Sequence, residues 1–182
     1  LFEAALAQRG VEWRKGTAEE TGLADRSADW VLMASAFHWT EPGRSLPEFR
    51  RILEPGGCLT LLWNPRDLEA SEFQKKIDAM VHEIAPGIQR RSSGAKQYTE
   101  HLEQVLVESG CFAGVVFMEA AHTEVMTRER YLGVWRSVND IQAQAGPERF
   151  AEIMKAIEGD TERMERTEVP CRTRAWFARR VD

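Results

Sequence analysis

Cysteine is scarce: three residues in 182, Cys58, Cys111 and Cys171. They are odd in number and far apart, with no CxxC spacing. This argues against a disulfide framework or a zinc site and for reduced, mostly buried thiols. Among the histidines, His82, His101 and His122 lack metal-ligand spacing and receive no role, and no metal is expected. Positive charge is also in deficit, with 24 Lys and Arg against 29 Asp and Glu, a formal net charge of -5. Phosphate binding needs a basic face, so neither nucleic acid nor a membrane surface is an expected partner. The pairs Arg90-Arg91 and Arg179-Arg180 read as solvated faces. No apolar run approaches the ~20 residues of a membrane span, and no signal peptide opens the chain. Internal repeats and low-complexity segments are absent. What remains is one domain of a cytoplasmic, globular protein.

The apolar pattern then gives the elements. Phe2, Ala5 and Leu6 share a helical face that Gly10 can stop. Val11 to Lys15 alternates like a short strand. Ala28 to Ala34 is a continuous apolar run, as expected of a strand covered on both faces. Pro42 suits a helix first turn, with Leu46, Phe49, Ile52 and Leu53 as its apolar stripe. Pro55-Gly56-Gly57 ends that helix, and Cys58 to Trp63 reads as a second buried strand. Residues 69–84 form a helix with Phe73, Ile77, Met80, Val81 and Ile84 on one side. Residues 85–97 are a loop. Leu102, Val105 and Leu106 mark a helix that ends at Ser109-Gly110, and Phe112 to Met118 is a strand. Residues 127–159 are helical, with Tyr131, Val134 and Trp135 as one apolar set and Phe150, Ile153, Met154 and Ile157 as another. Gly146-Pro147 separates the sets. Val169 to Ala178 alternates like a half-exposed antiparallel strand at or near a sheet edge. Strands alternating with helices favour a parallel sheet.

The segment Gly16–Asp67 carries the strongest signal. GTAEETGLADRSADW resembles the strand-3 exit of class I S-adenosylmethionine-dependent methyltransferases, and Pro55-Gly56-Gly57 is similar to the turn before their fifth strand. AFHW (36–39), WNPRD (63–67) and the ending VPCRTRAWFARR resemble the small-molecule subgroup that includes the trans-aconitate methyltransferases. The resemblance implies an α/β, Rossmann-like sheet in the order 3-2-1-4-5-7-6, strand 7 antiparallel. Strand 3 would be Val11–Lys15, strand 4 Asp29–Ala34, strand 5 Cys58–Trp63, strand 6 Phe112–Met118 and strand 7 Val169–Ala178. Residues 1–182 would be one partial methyltransferase domain with a helical insert at 127–159.

One family feature has no counterpart in these residues: the glycine-rich GxGxG loop after the first strand. Gly56-Gly57 is no substitute, because it precedes a strand. The resemblance therefore implies a domain truncated at its N-terminus, beginning partway through its cofactor-binding half. The loop lies upstream of Leu1, or the chain is a fragment, or it is a remnant with another role. Without strands 1 and 2, strand 4 would expose an apolar edge that invites dimerisation.

Ligands of open α/β sheets bind outside the carboxyl ends of the strands. By resemblance, Thr17, Ala18 and Glu19 would meet the adenine of S-adenosyl-L-methionine, the Ala18 amide at a ring nitrogen and the Thr17 hydroxyl at the exocyclic amine. Thr17 reads equally as a turn cap. Ser35, Ala36 and Phe37 would lie along the methionine part, and Trp39 would wall the sulfonium, whose charge suits an aromatic face. Phe37 and Trp39 also read as packing. His38 is the catalytic candidate, a base or orienting group for the acceptor, or else a histidine bonded to backbone. Asn64, Arg66 and Arg136 are candidate substrate residues, Arg66 for an acidic group; solvated turn and helix positions are the plain alternatives. The expected function is methyl transfer to a small-molecule carboxylate or hydroxyl. The competing expectation is a non-catalytic domain acting through dimerisation or partner binding.

Overall fold

A computed structural model describes residues 10–89 and 99–182. The sequence-derived helix at Phe2, Ala5 and Leu6 falls outside them, as does most of the 85–97 loop; residues 85–89 belong to no helix or strand. The chain divides into two compact units. One is formed by Leu1–Leu61, His101–Phe117 and Trp176–Asp182, the other by Leu62–Glu100 and Met118–Ala175.

Strand β1 spans Ala28–Ala34 and leads through a short 3-10 turn, Phe37–Trp39, to helix α1, Pro42–Ile52. Pro42 sits in the first turn of α1, where its missing N–H costs nothing. Leu46, Phe49 and Ile52 form the buried stripe of α1. Strand β2 then runs Leu53–Trp63 and helix α2 runs Glu72–Ile84. Helix α3 spans Leu102–Glu108 and strand β3 Phe112–Thr127. Helices α4, Arg128–Arg136, and α5, Asn139–Asp160, precede strand β4, Arg166–Arg180.

The strands hydrogen-bond in the order β1-β2-β4-β3, with β1 and β2 parallel. Beyond the end of β2, Arg66 and Cys171 form an antiparallel bridge. There the Asp67 N–H donates to the Pro170 carbonyl at 2.8 Å, and the Arg172 N–H to that of Pro65 at 2.9 Å. Matched to the expected strands, this order is 4-5-7-6, the second half of the implied sheet. β4 lies one strand in from the edge, and β3 takes the edge.

Five expectations need correction. Val11–Lys15 is not a strand. A strand exists through its ladder, and among the described residues no strand lies beyond β1 to extend the sheet. Leu53 and the Pro55-Gly56-Gly57 bend belong to β2 instead of ending α1. The bend demands both glycines: Gly56 has φ +76°, and a Cβ at Gly57 would meet the Glu54 carbonyl oxygen at 2.8 Å and that of Asp29 at 3.1 Å. β3 runs nine residues past Met118, to Thr127, where the Thr127 hydroxyl caps α4. α2 starts at Glu72 instead of residue 69, because Ser71 caps it by accepting the Gln74 N–H. Finally, β1 is not covered on both faces: Trp30 is 59% exposed and Leu32 52%.

The second unit closes on one core. Ile77 and Val81 of α2, Tyr131, Leu132 and Trp135 of α4, Ile141, Ile153 and Ile157 of α5 and Val169 and Cys171 of β4 form one buried cluster. Each such large side chain contributes about 1.5–3 kcal/mol by leaving water. The helical region expected at 127–159 is broken at Ser137–Val138 into α4 and α5, and Gly146 (φ +74°), beside Pro147, bends α5 internally; Tyr131 and Trp135 of α4 and Ile153 and Ile157 of α5 meet in this core.

Candidate functional site

In the first unit the candidate residues occupy two segments. At 17–19, the Thr17 hydroxyl accepts the Glu20 N–H at 3.1 Å while the Thr17 N–H donates to the Glu20 carbonyl at 3.2 Å. Thr17 thus closes a turn, and its hydroxyl also supports the Glu19 carboxylate. Ala18 is half-buried. The Glu19 carboxylate accepts the Glu41 N–H at 2.9 Å, at the start of α1. That bond, first among several, holds its pKa below the usual carboxylate value. Glu19 is therefore tied to a helix N-terminus, a favourable place for an anion.

The second segment leaves β1. Ser35 has φ +50°, a left-handed conformation that non-glycine residues rarely adopt and that concentrates at functional sites. Ala36 is half-buried. Phe37 is 4% exposed and belongs to the core. The His38 and Trp39 rings lie 4.8 Å apart, tilted by 43°. Burial pushes the His38 pKa down, so the imidazole is neutral near pH 7. Trp39 is 69% exposed, an aromatic face open to a ligand. Beneath these segments, Glu48 of α1 accepts the N–H (2.9 Å) and hydroxyl (2.6 Å) of Thr21 and pairs with Arg51 at 2.7 Å. The Arg51 guanidinium, first among these partners, pulls the Glu48 pKa down to about 2. Arg51 also binds Asp25 and the Leu23 carbonyl. This network fixes the 21–25 loop to α1.

The other candidates lie in the second unit, each with its own partners. The Asn64 amide oxygen accepts the Thr173 hydroxyl at 3.0 Å, and that hydroxyl lies 3.5 Å from the His122 Nδ1. Arg136 of α4 pairs with Glu158 of α5 at 2.7 Å. Arg66 stacks on aromatic rings, its guanidinium carbon 4.8 Å from the Trp135 centroid and 6.0 Å from that of Tyr131. The Tyr131 hydroxyl donates to the Gln74 Oε1 at 3.2 Å. Burial raises the Tyr131 pKa, with Arg66 among the groups opposing that rise. Beside them, Asp67 pairs with Arg172 at 2.7 Å, and Glu119 bridges Arg172 (3.0 Å) and Arg174 (2.7 Å). Among the described residues, no group of three His, Cys, Asp or Glu could hold a metal ion, and no helix is long and apolar enough to cross a membrane.

The strand order and the helices between strands define a Rossmann-like methyltransferase fold. A solved structure from Anaeromyxobacter dehalogenans, provisionally assigned as a type II methyltransferase, superposes with a TM-score of 0.57 at 23% identity, covering 95% of this chain and 72% of that one. In sequence, residues 2–61 match a family model described as a methyltransferase domain. An uncharacterized methyltransferase of Mycobacterium tuberculosis is 58% identical over 52 residues, 29% of this chain and 21% of that protein. An uncharacterized methyltransferase-like protein of Schizosaccharomyces pombe is 44% identical over 57 residues, 31% of this chain and 22% of that one. The matched segments span about a fifth of these relatives' length.

Sequence reasoning missed Gln74, and it treated Tyr131 and Trp135 as packing alone. A signal for Gln74 was present: with Ile77 and Val81 it stands at i, i+3 and i+7, a polar residue on an apolar stripe. The strain at Ser35 left no mark in the sequence.

Proposed function

We propose that this chain is part of an S-adenosylmethionine-dependent methyltransferase acting on a small-molecule acceptor. The observation that carries the reading is the coincidence of two independent ones. The 4-5-7-6 strand order sits in the same chain as a methyltransferase-domain match over residues 2–61. The strained Ser35, at the carboxyl end of β1 where open α/β sheets bind ligands, supports it further.

Bound S-adenosylmethionine would supply an electrophilic methyl group on a sulfonium. The residues present fit such a group in part. Thr17 and Ala18 offer a hydroxyl and an amide at the adenine edge, and Ser35 and Ala36 offer backbone where the chain bends. Trp39 offers an exposed aromatic face to a cation. Glu19 serves by holding its segment to α1, through the Glu41 amide, more than by touching the ligand. His38, neutral near pH 7, orients the acceptor or takes its proton. In-line displacement gains most of its rate from positioning, so few residues need do chemistry.

The test is formation of S-adenosylhomocysteine on incubation of the full-length protein with S-adenosylmethionine and a panel of small acids and alcohols. Turnover is expected, and His38→Asn should lower kcat by about a hundredfold, the usual scale for a positioned base. His38 acts when unprotonated and its pKa is depressed. Activity should therefore persist below pH 6.5 and fall only as the pH drops through the lowered pKa. Absence of turnover across the panel, or a His38→Asn variant with wild-type kcat and pH profile, contradicts the corresponding part of the reading.

A further inference from the structure

Three side chains of the second unit form a hydrogen-bonded chain that the methyl-transfer reading leaves unused. Asn64 follows Trp63, the last residue of β2, at the carboxyl end of that strand. Thr173 lies in β4 and His122 in its sheet neighbour β3. The Thr173 hydroxyl donates to the Asn64 Oδ1 at 3.0 Å, and its oxygen lies 3.5 Å from the His122 Nδ1. A hydroxyl has one proton. Given to Asn64, it leaves the Thr173 oxygen only an acceptor toward His122, so Nδ1 is the ring nitrogen that carries the proton. Nε2 then keeps a lone pair. His122 is exposed, and its Nε2 has no hydrogen-bond partner among the described residues. Cys171 and Thr173, two apart on β4, point to one face of the sheet, and Cys171 is buried in the core built by α2, α4 and α5. The bonded chain thus runs at the margin of a helix-covered face. Glu124, two residues beyond His122 on β3, is paired with Arg130 at 3.5 Å rather than with the ring.

We propose that Asn64 and Thr173 hold His122 with its Nε2 lone pair outward, to take the proton of an alcohol or amine group on the methyl acceptor. The tautomer decides the substrate class. A bare Nε2 attracts an O–H or N–H and offers nothing to a carboxylate, which is itself an acceptor. The place agrees, because ligands of open α/β sheets bind beyond the carboxyl ends of the strands, where Asn64 stands. In the transfer, the acceptor's heteroatom bonds the methyl carbon, the broken C–S pair stays on sulfur, and the heteroatom's proton passes to Nε2. The resulting imidazolium keeps its Nδ1–H on Thr173. Thr173 and Asn64 are positioning residues, which act by fixing the tautomer and the ring. His38 is then left the orienting part of its two roles. The purpose of the bonded chain rests on the methyl-transfer reading; its tautomer does not.

Nitrogen-15 NMR of the imidazole rings in the full-length protein reads the tautomer without cofactor. His122 is expected as Nδ1–H. Thr173→Val should release it to Nε2–H, and Thr173→Ser should keep it. An Nε2–H ring in the unaltered protein would overturn the proposal, because the Asn64 amide would then be turned and the bonds would run the other way. The second arm is turnover of small acids, alcohols and amines with S-adenosylmethionine. Alcohols or amines should react. With such a substrate, His122→Ala should lower kcat by about a hundredfold with KM little changed, and added imidazole should restore part of the loss, which a merely structural role would not allow. Thr173→Val should lose less, and Thr173→Ser least. Thermal melts identify the folded variants, and only those count. Turnover of acids alone, or a folded His122→Ala with the unaltered kcat, would overturn the proposal. An Nδ1–H ring with no turnover of any compound sinks the methyl-transfer reading, and the proton-accepting role with it. Turnover with an Nε2–H ring sinks the role of His122 alone.

Discussion

The two units end their apolar surfaces differently. In the unit carrying α2, α4 and α5, the large side chains close on one another: Tyr131, Ile77, Ile153 and Ile157 are 0% exposed and Trp135 2%. In the unit carrying β1 and α1, the helix is buried on its inner stripe, but the strand and its exit leave Trp30, Leu32 and Trp39 more than half exposed. Isolated exposed apolar residues need no explanation, but an aromatic and aliphatic run along a strand does. One unit spends its aromatics on a core. The other presents them at a strand exit, where a ligand or further protein would cover them.

Mutations can break this contrast. The largest effect belongs to the closed unit. Trp135→Ala removes a buried ring and should cost about 3–5 kcal/mol, read as a lower denaturation midpoint, while also stripping Arg66 of its stacking partner. Trp39→Ala in the open unit should leave stability within about 0.5 kcal/mol. Equal losses at the two tryptophans would erase the distinction.

Next in size is Glu48→Ala, at about 2 kcal/mol, because it leaves the Thr21 N–H and hydroxyl without their acceptor and removes one of the partners of Arg51. The pH dependence sharpens it. A carboxylate whose folded pKa is lowered to about 2 stabilises the fold fully above its unfolded pKa of about 4.3 and loses that contribution as the pH falls toward 2. The acid limb of stability between pH 4.5 and 2 should therefore flatten in Glu48→Ala. An unchanged acid limb would mean that Glu48 is not what holds the 21–25 loop.

Gly56→Ala should cost about 1–2 kcal/mol for its left-handed φ, and Gly57→Ala should cost at least as much, through the Glu54 and Asp29 carbonyls. Both are read from urea unfolding midpoints. The smallest effect is expected at the open face: Leu32→Thr should shift stability by no more than about 0.5 kcal/mol. A loss near that of a core leucine would show that β1 is covered after all.

Much of this architecture was legible in the sequence, for particular reasons. α1 and α3 announce themselves through helical spacing and through Pro42 and Gly110; the helical character of 127–159 was legible too, but not its break at Ser137–Val138, and Gly146-Pro147 falls inside α5 as a bend. The 4-5-7-6 order follows from resemblance, not from periodicity. Val11–Lys15 misled because alternation describes a face, whereas a strand needs a neighbour. β1 misled because an apolar run says what ought to be covered, not what covers it. In the site, the chemistry-bearing residue types were visible, but their partners were not. That Glu19 answers the Glu41 amide, that Arg136 answers Glu158, and that Arg66 lies over Trp135 depend on contacts between residues 22 to 69 positions apart. No local pattern encodes such contacts.

The central claim is that the strand-exit segment of the open unit binds the methyl donor. Its most direct test is calorimetric titration of S-adenosylhomocysteine into this 182-residue chain. The account predicts saturable one-site binding in the micromolar range. A folded chain that takes up none would contradict it.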